Sequence, residues 1–286
     1  MTNTNTTAKG SKRKKFKVYN KGVTNFLNTS IQKIATGAGG HATHISSCSS
    51  NWPVFPHVLP EVAFAGHSNC GKSTLVNAVA GIQPTKGPAQ VSDRAGWTDQ
   101  ICFYQLGKRP PVLILADLPG YGHAVATSSR RKEWQLMCHD YLSTRKVLTI
   151  CYVLVDCTRG LCQGDLSIIN FLKKNNVPWQ VVLTKADLLP VTLLAQSIQV
   201  VKDDLNEKFN SYNLININPI IPISASTGAG IKHLWKDINN KVLQSVKIVD
   251  YNVQDHVVRE HAMADVLRKE TMLQNMRNKL ATKKYK

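Results

Sequence analysis

The sequence predicts an α/β fold with a mostly parallel, doubly wound sheet and helices on both of its faces. Apolar, β-branched runs predict five strands, at 62–65, 112–116, 148–155, 180–183 and 219–223. Helical patterns lie between and after these runs, at 72–80, 130–142, 164–174, 193–209 and 231–246. Such alternation is typical of parallel strands joined by crossover helices. A glycine-rich loop directly after the first strand, at 66–73, favours the same class. A further strand, at 101–106, is predicted to be antiparallel and at an edge of the sheet.

Charge divides the chain into three parts. The net charge is +18, with eight Lys or Arg and no acid in residues 1–60, and eight Lys or Arg against three acids in residues 256–286. We therefore predict a basic extension (1–60), which includes a small-residue linker at 37–50, a folded domain (61–247) and a basic C-terminal helix or tail (248–286). Basic ends favour a polyanionic partner or a targeting signal, and a solvated tail without a specific partner is the alternative.

The composition of the extension favours an organelle. It is rich in hydroxyl residues and lacks acids, as transit peptides do, although Arg13 is its only arginine. We expect the mitochondrial matrix, with plastid and cytosol as alternatives. Seven cysteines without a CxxC pair favour a reducing compartment. The longest apolar run, 147–155, is too short to span a bilayer, so we expect no membrane association.

The glycine-rich loop has the spacing of a phosphate-binding loop. Gly66 is followed, after four residues, by Gly71-Lys72-Ser73, between a predicted strand and a predicted helix. Glycines let the backbone wrap phosphates, and the helix N-terminus favours the anion. Lys72 is expected to reach the β- and γ-phosphates, and the Ser73 hydroxyl to ligate Mg²⁺. A chance glycine-rich turn is the alternative, and the strand–loop–helix order argues against it.

Two further segments complete a triphosphate site. Asp117-Leu118-Pro119-Gly120 ends the next core strand, where open α/β sheets bind ligands. Asp117 is expected to hold Mg²⁺ through water, and the Gly120 N–H to meet the γ-phosphate. Thr98, in the glycine- and proline-containing loop 84–99, is expected to close on Mg²⁺ and the γ-phosphate in the GTP state.

The base is predicted from two later strand ends. A carboxylate in Thr184-Lys185-Ala186-Asp187 can accept hydrogens from guanine N1–H and the 2-amino group, which adenine lacks. Standing alone, Asp187 could equally be a helix N-cap. Ser224-Ala225-Ser226, after the last strand, is expected to offer backbone N–H groups to the guanine oxygen. The order of the four motifs favours GTP and GDP as ligands.

These motifs resemble those of the EngB (YihA/YsxC) family of GTPases in the TRAFAC class. The resemblance rests on Gly96-x-Thr98 and on the segments FAGHSNCGKST (64–74), DLPGYG (117–122), VDCTRG (155–160), VVLTKADLLP (181–190) and ISAS (223–226). It covers roughly residues 60–246. It implies a Ras-like GTPase domain that assists assembly of the large ribosomal subunit, with rRNA and ribosomal proteins or assembly factors as partners. We expect a monomer.

The predicted site can now be stated in full. Residues expected to contact GTP or GDP are Gly66, His67, Ser68, Asn69, Cys70, Gly71, Lys72, Ser73, Thr74, Asp117, Gly120, Thr184, Lys185, Asp187, Ser224, Ala225 and Ser226. Those expected to act in hydrolysis are Lys72, Asn69, Thr98 and Gly120. Those expected to hold Mg²⁺ are Ser73, Thr98 and, through water, Asp117.

Three positions bear on how hydrolysis would proceed. His67 stands where the family usually has Arg. Tyr121 stands where Ras-type enzymes orient water with Gln, and its side chain cannot do the same, so we expect a low intrinsic rate. The resemblance implies that Asn69 could help hold K⁺ against the phosphates. Local hydrogen bonds within the loop are an equally good role for Asn69.

Other function classes remain as alternatives. A nucleotide-dependent rRNA-binding scaffold with little useful hydrolysis is compatible with Tyr121. A septation-related GTPase is suggested only by older naming of the family. A nucleotide kinase or other ATPase is disfavoured by the Thr-Lys-Ala-Asp and Ser-Ala-Ser segments.

Overall fold

Strands and helices alternate along most of the chain in the computed structural model, which describes residues 29, 42–55, 59–83, 86–89, 100–107, 111–122, 128–209 and 219–249. The strands in these ranges are β1 (Ala42–Cys48), β2 (Glu61–Gly66), β3 (Ile101–Leu106), β4 (Leu113–Asp117), β5 (Leu148–Asp156), β6 (Trp179–Thr184) and β7 (Ile221–Pro222). The α-helices are α1 (Lys72–Val79), α2 (Ser128–Thr144), α3 (Gln163–Lys174), α4 (Val191–Phe209) and α5 (Ile231–Val249), and a short 3₁₀ helix covers Ala186–Leu188.

The strands form one sheet in the order β1-β3-β4-β2-β5-β6-β7. From β4 to β7 all neighbours are parallel, whereas β3 pairs antiparallel with both β1 and β4. The carboxyl ends of β2, β4, β5, β6 and β7 therefore meet at one edge, which is where open α/β sheets bind ligands. The predicted fold class is confirmed.

Helices cover both faces of the sheet. Alternate residues of β5 separate the two cores: Tyr152 and Leu154 pack with α1 and α5, whereas Val153 and Val155 pack with α2, α3 and α4. Both faces of the central strands are thus buried, which explains why these strands read as continuous apolar runs. Each fully buried side chain of this kind, such as Leu75, stabilises the fold by about 1.5–3 kcal/mol.

The sheet extends further towards the N-terminus than predicted. Residues 42–48, assigned to a linker, form β1 and pair antiparallel with β3. The linker prediction is wrong there, and β3 is not at an edge because β1 occupies that place. Trp52, just after β1, donates from its indole N–H to Asp140 of α2 at 2.9 Å. Of the predicted basic C-terminal helix or tail (248–286), only Ile248 and Val249 are described, at the end of α5.

No helix in the described ranges is both long and apolar enough to cross a membrane.

Candidate functional site

The loop 67–71 joins the central strand β2 to α1. Gly71 takes a left-handed conformation (φ 96°) immediately before the helix, and Asn69 is also left-handed (φ 62°). Glycine adopts this conformation without steric cost, and asparagine tolerates it better than most residues. The backbone therefore turns sharply over the N-terminus of α1, where unpaired N–H groups and the helix dipole attract an anion.

The Lys72 ammonium lies at the centre of this loop. Its side chain is buried, and Nζ donates to the carbonyl oxygens of Gly66 and His67, both at 3.1 Å. A Cβ atom added to Gly120 would lie 2.9 Å from Lys72 Nζ and 2.8 Å from Ser68 Oγ. Only glycine fits this close approach, so the Asp117–Gly120 segment reaches the phosphate-binding loop as predicted.

Ser73 and Asp117 meet beside Lys72. The Ser73 hydroxyl donates to Asp117 Oδ2 at 2.7 Å, and the other carboxylate oxygen, Oδ1, is buried without a hydrogen-bond partner among the described residues. Burial raises the pKa of Asp117 above its ordinary value, against the opposing effects of Lys72 and the Ser73 hydroxyl. Mg²⁺ prefers oxygen ligands such as carboxylates and hydroxyls. The Ser73 hydroxyl and the Asp117 carboxylate, whose Oδ1 lacks a described partner, fit this preference.

Thr184 ties the base-recognition segment to the phosphate-binding loop. Its buried hydroxyl donates to the Cys70 carbonyl oxygen at 2.7 Å. The next residue, Lys185, is left-handed (φ 58°), and its ammonium pairs with Asp156 at 2.7 Å. This backbone turn places Asp187 beyond the end of β6, where its carboxylate is exposed.

The Asp187 carboxylate is oriented by the turn after β7. Ser226 Oγ donates to Asp187 Oδ2 at 3.1 Å, and Ser226 Oγ lies 2.9 Å from Ser224 Oγ. Hydrogen bonding to Ser224 and then to Ser226 lowers the pKa of Asp187, so the carboxylate stays ionised. The Ser224 N–H donates to the Ala229 carbonyl at 2.9 Å, so the contact predicted between the Ser224-Ala225-Ser226 segment and the guanine oxygen rests on Ala225 and Ser226 and stays a prediction.

Comparison with known proteins identifies the family. The model of a 50S ribosome-binding GTPase matches residues 61–185, and that of the elongation factor Tu GTP binding domain matches residues 140–247. The chain is 39% identical over 174 residues to the probable GTP-binding protein EngB of Ruegeria sp. strain TM1040, covering 61% of this chain and 76% of that protein. It is 36% identical over 198 residues to the probable EngB of Ehrlichia canis strain Jake, covering 69% and 90% respectively. This chain belongs to the EngB family. It is a GTPase, which hydrolyses GTP to GDP and phosphate.

A solved structure supports the same fold for this EngB-family GTPase. Era in complex with MgGDPNP and nucleotides 1506–1542 of 16S ribosomal RNA is similar, with a TM-score of 0.50 and 26% identity. The match covers 64% of this chain and 56% of that chain. The Ras-like GTPase fold predicted from the motifs is confirmed.

Most predicted residues of the EngB-family site come together at one edge of the sheet. The loop 66–73, Asp117, Gly120 and Thr184 are joined by the contacts above, and Thr74 follows in the first turn of α1. Thr98 lies outside the described residues, so its role stays a prediction. Before Thr98, the Asn77 amide holds the Ala89 backbone through two hydrogen bonds, of 2.8 and 3.0 Å, which fixes one end of the described part of that loop.

Tyr121 does not point its hydroxyl at the phosphate-binding loop. The phenol donates to Asp165 Oδ1 at 2.6 Å, and burial together with the Asp165 carboxylate raises the pKa of Tyr121. His67 packs its ring edge-on against Tyr121, with centroids 6.2 Å apart. The phenol is therefore protonated and already engaged, which supports the expectation that Tyr121 does not orient water as Gln does.

Sequence reasoning assigned no role to three charged residues in the segment from the last residue of β5 to the first turn of α3. Asp156 pairs with Lys185, and Asp165 pairs with Arg159 at 3.0 Å. Arg159 and Asp156 lie in the VDCTRG segment, and this run of charges at the carboxyl end of a core strand was the available signal.

Proposed function

We propose that this EngB-family GTPase uses GTP binding and hydrolysis to assist assembly of the large ribosomal subunit. The observation that carries the proposal is the match of residues 61–185 to a 50S ribosome-binding GTPase, which includes the phosphate-binding loop and ends at Lys185. Charge supports it, because residues 1–60 and 256–286 hold 13 of the 18 net positive charges. Such ends suit rRNA, a polyanion.

RNA contact through the basic ends is the partner part of the proposal. A similar solved protein, Era, was crystallised with a segment of 16S ribosomal RNA. In our proposal, residues 1–60 and 248–286 supply phosphate contacts to large-subunit rRNA, with ribosomal proteins or assembly factors completing the surface. Binding of this kind releases counterions, so it weakens steeply as the salt concentration rises.

The proposed place of action is the mitochondrial matrix. The acid-free, hydroxyl-rich extension supports this location, and plastid and cytosol are the competing locations. A fusion of residues 1–60 to a fluorescent protein tests it. Import into mitochondria supports the proposal, and a cytosolic or plastid signal overturns it.

Two ions belong to the proposed reaction. Ser73 and Asp117 would hold Mg²⁺, together with Thr98, and the ion would neutralise charge on the phosphates. Asn69, exposed in its left-handed turn, is proposed to help hold K⁺ at the phosphates. The chain itself contributes the Lys72 ammonium and the loop N–H groups, which act by positioning and electrostatic stabilisation.

Sedimentation with large-subunit particles tests the ribosomal role. We expect the full chain to pellet with these particles more in a non-hydrolysable GTP analogue than in GDP. Lys72→Ala, which removes the phosphate-binding ammonium, is the matched control and should pellet equally in both nucleotides. Equal pelleting of the unmodified chain in GTP analogue and GDP would overturn the proposal.

A second candidate is favoured by the engagement of Tyr121 with Asp165. The Tyr121 hydroxyl, which stands where Ras-type enzymes have the Gln that orients water, is instead bonded to Asp165. The protein could then act as a nucleotide-dependent rRNA-binding scaffold with little useful turnover. Hydrolysis measured on the particle separates the two candidates.

A further inference from the structure

Asp165 belongs to none of the predicted GTP-binding motifs, yet its carboxylate is wholly buried and fully engaged. Oδ1 accepts from the Tyr121 hydroxyl at 2.6 Å. Oδ2 accepts from Arg159 Nη2 at 3.0 Å and from the Cys162 N–H at 2.8 Å. Hydrogen bonds to an ionised acceptor are strong and directional. Three donors, two of them in the segment just before α3 and one 44 residues away in sequence, therefore hold this carboxylate in one place at the N-terminus of α3.

Tyr121 is also held at its backbone. Its carbonyl oxygen accepts from the Ser68 N–H at 2.9 Å and from the Ser68 hydroxyl at 3.1 Å. Its ring lies against Gly164, where an added Cβ would be 2.6 Å from Tyr121 Cδ2. The residue is thus fixed between the phosphate-binding loop and α3, with no space for a side chain at Gly164.

Gly120 is the neighbour of Tyr121, so a fixed position of Tyr121 also limits the movement of Gly120 beside Lys72. The space around Gly120 is so restricted that an added Cβ would lie 2.9 Å from Lys72 Nζ. A shift of Tyr121 would move the adjoining peptide relative to the lysine that is expected to meet the β- and γ-phosphates. Small displacements of this kind lower reaction rates because catalysis by positioning depends on geometry.

We infer that Asp165 is a positioning residue for GTP hydrolysis: through Tyr121, it holds the peptide after Gly120 at a fixed place beside the phosphate-binding loop. Asp165 touches neither nucleotide nor metal in this role. The inference concerns the GTPase reaction and is independent of the ribosomal partner. The Gly120 N–H, which lies directly before that peptide, is expected to meet the γ-phosphate. Loss of Asp165 should therefore affect the hydrolysis rate much more than GDP affinity.

A purely structural role is the competing explanation, and the chain offers a matched control for it. Tyr152 donates its hydroxyl to Asp237 at 2.7 Å, between β5 and α5 on the opposite face of the sheet. This is also a Tyr–Asp hydrogen bond in a partly buried setting. Tyr152→Phe removes the same hydroxyl group from the same domain, and no hydrogen bond of that hydroxyl reaches the phosphate-binding loop among the described residues.

The experiment uses the full chain with Tyr121→Phe, Asp165→Asn, the double variant and Tyr152→Phe. Single-turnover GTP hydrolysis, mant-GDP affinity and thermal unfolding are measured for each. We expect Tyr121→Phe and Asp165→Asn each to slow hydrolysis about tenfold, as befits loss of a charge-assisted hydrogen bond. The double variant should be no slower than the slower single variant, because both changes remove one linkage. Tyr152→Phe should lose stability and keep its rate.

Three results would overturn the inference. The first is an unchanged hydrolysis rate in Tyr121→Phe. The second is an equal loss of rate in Tyr121→Phe and Tyr152→Phe, which indicates general destabilisation. The third is a fall in mant-GDP affinity of Tyr121→Phe as large as its fall in rate. If Asp165→Asn does not fold, the comparison of Tyr121→Phe with Tyr152→Phe decides alone.

Discussion

The Thr184 hydroxyl donates to the Cys70 carbonyl oxygen at 2.7 Å, across 114 residues of sequence. Both atoms are buried, so the carbonyl would lose its partner without access to water if the hydroxyl were removed. This bond joins the segment that is predicted to select the base to the loop that is predicted to bind the phosphates. We therefore expect one connected unit to recognise both ends of the nucleotide.

Thr184→Val should weaken the binding of both GDP and GTP. Valine keeps the shape of threonine and leaves the Cys70 carbonyl unsatisfied, at a cost of about 1–3 kcal/mol. We expect an affinity loss of about tenfold for each mant-nucleotide. Thr149→Val is the control, because Thr149 is also buried but its hydroxyl contacts Ser245, 3.4 Å away in α5. Equal affinities in Thr184→Val and Thr149→Val would contradict the role of this bond.

Asp117→Asn should stabilise the metal-free protein while abolishing hydrolysis. The charged form of Asp117 is unfavourable because one oxygen is buried without a described partner, and an uncharged amide costs less to bury. In EDTA, we expect the free energy of unfolding at neutral pH to rise by about 1–2 kcal/mol. Chemical denaturation and a phosphate-release assay measure the two effects. A destabilised Asp117→Asn would show that the carboxylate is satisfied without metal.

The difference in the free energy of unfolding between Asp117→Asn and the unmodified chain should depend on pH, and the sign of that dependence follows from the pKa of Asp117. Burial raises the pKa of Asp117 from 3.8 in the folded state, so the proton is bound more tightly when the chain is folded. Its stabilising contribution is complete below the unfolded pKa and is lost as the pH rises through the folded pKa. The advantage of Asp117→Asn should therefore be small near pH 4 and grow towards pH 7. An advantage that shrinks with rising pH would contradict this assignment.

Asp187→Asn should shift the base specificity of the site from guanine towards xanthine. The carboxylate accepts from the 2-amino group of guanine, whereas an amide can donate to the 2-oxo group of xanthine. We expect GTP affinity to fall about a hundredfold through loss of charge-assisted hydrogen bonds, and xanthosine triphosphate affinity to rise. Competition against mant-GDP measures both. An undiminished GTP affinity would mean that Asp187 acts only through its bond to Ser226.

Potassium should accelerate hydrolysis if Asn69 helps to hold it. We expect faster single-turnover hydrolysis in KCl than in NaCl at equal ionic strength, and loss of this difference in Asn69→Ala. The left-handed backbone at Asn69 makes Asn69→Gly a useful control, since glycine keeps the turn and removes the amide. Equal rates in both salts, together with an unchanged Asn69→Ala, would leave Asn69 with a local role in the loop.

The central elements of the fold were predictable because their signals are local. Strands such as β5 are buried on both faces and read as apolar runs, and the loop 66–73 has a fixed spacing. Strand β1 was missed because Thr43, His44 and Ser47 are exposed on an edge strand, where polar residues resemble a linker. Its assignment depends on pairing with β3, which a local pattern does not contain.

The candidate site, like the fold, contains some residues that the sequence predicted and others that only the structure reveals. Lys72, Asp117 and Asp187 lie at or shortly after the carboxyl ends of strands, in recognisable segments. Because such ends meet at one edge of a parallel sheet, the sequence predicted that these residues lie close together. The roles of Asp165 and Thr184 depend on partners 44 and 114 residues away, Tyr121 and Cys70. Only the folded chain brings these pairs together. The hydrogen bond from the Ser224 N–H to the Ala229 carbonyl, which closes the turn after β7, was likewise not visible in the sequence.

Single-turnover GTP hydrolysis, with and without purified large-subunit particles, tests the central claim most directly. The engaged Tyr121 phenol predicts slow hydrolysis by the protein alone, and the proposed ribosomal role predicts marked stimulation by the particles. Lys72→Ala on the same particles controls for contaminating GTPases. Stimulation of the unmodified chain, absent in Lys72→Ala and in small-subunit particles, is the predicted result. An unchanged rate on large-subunit particles would contradict a hydrolysing assembly factor.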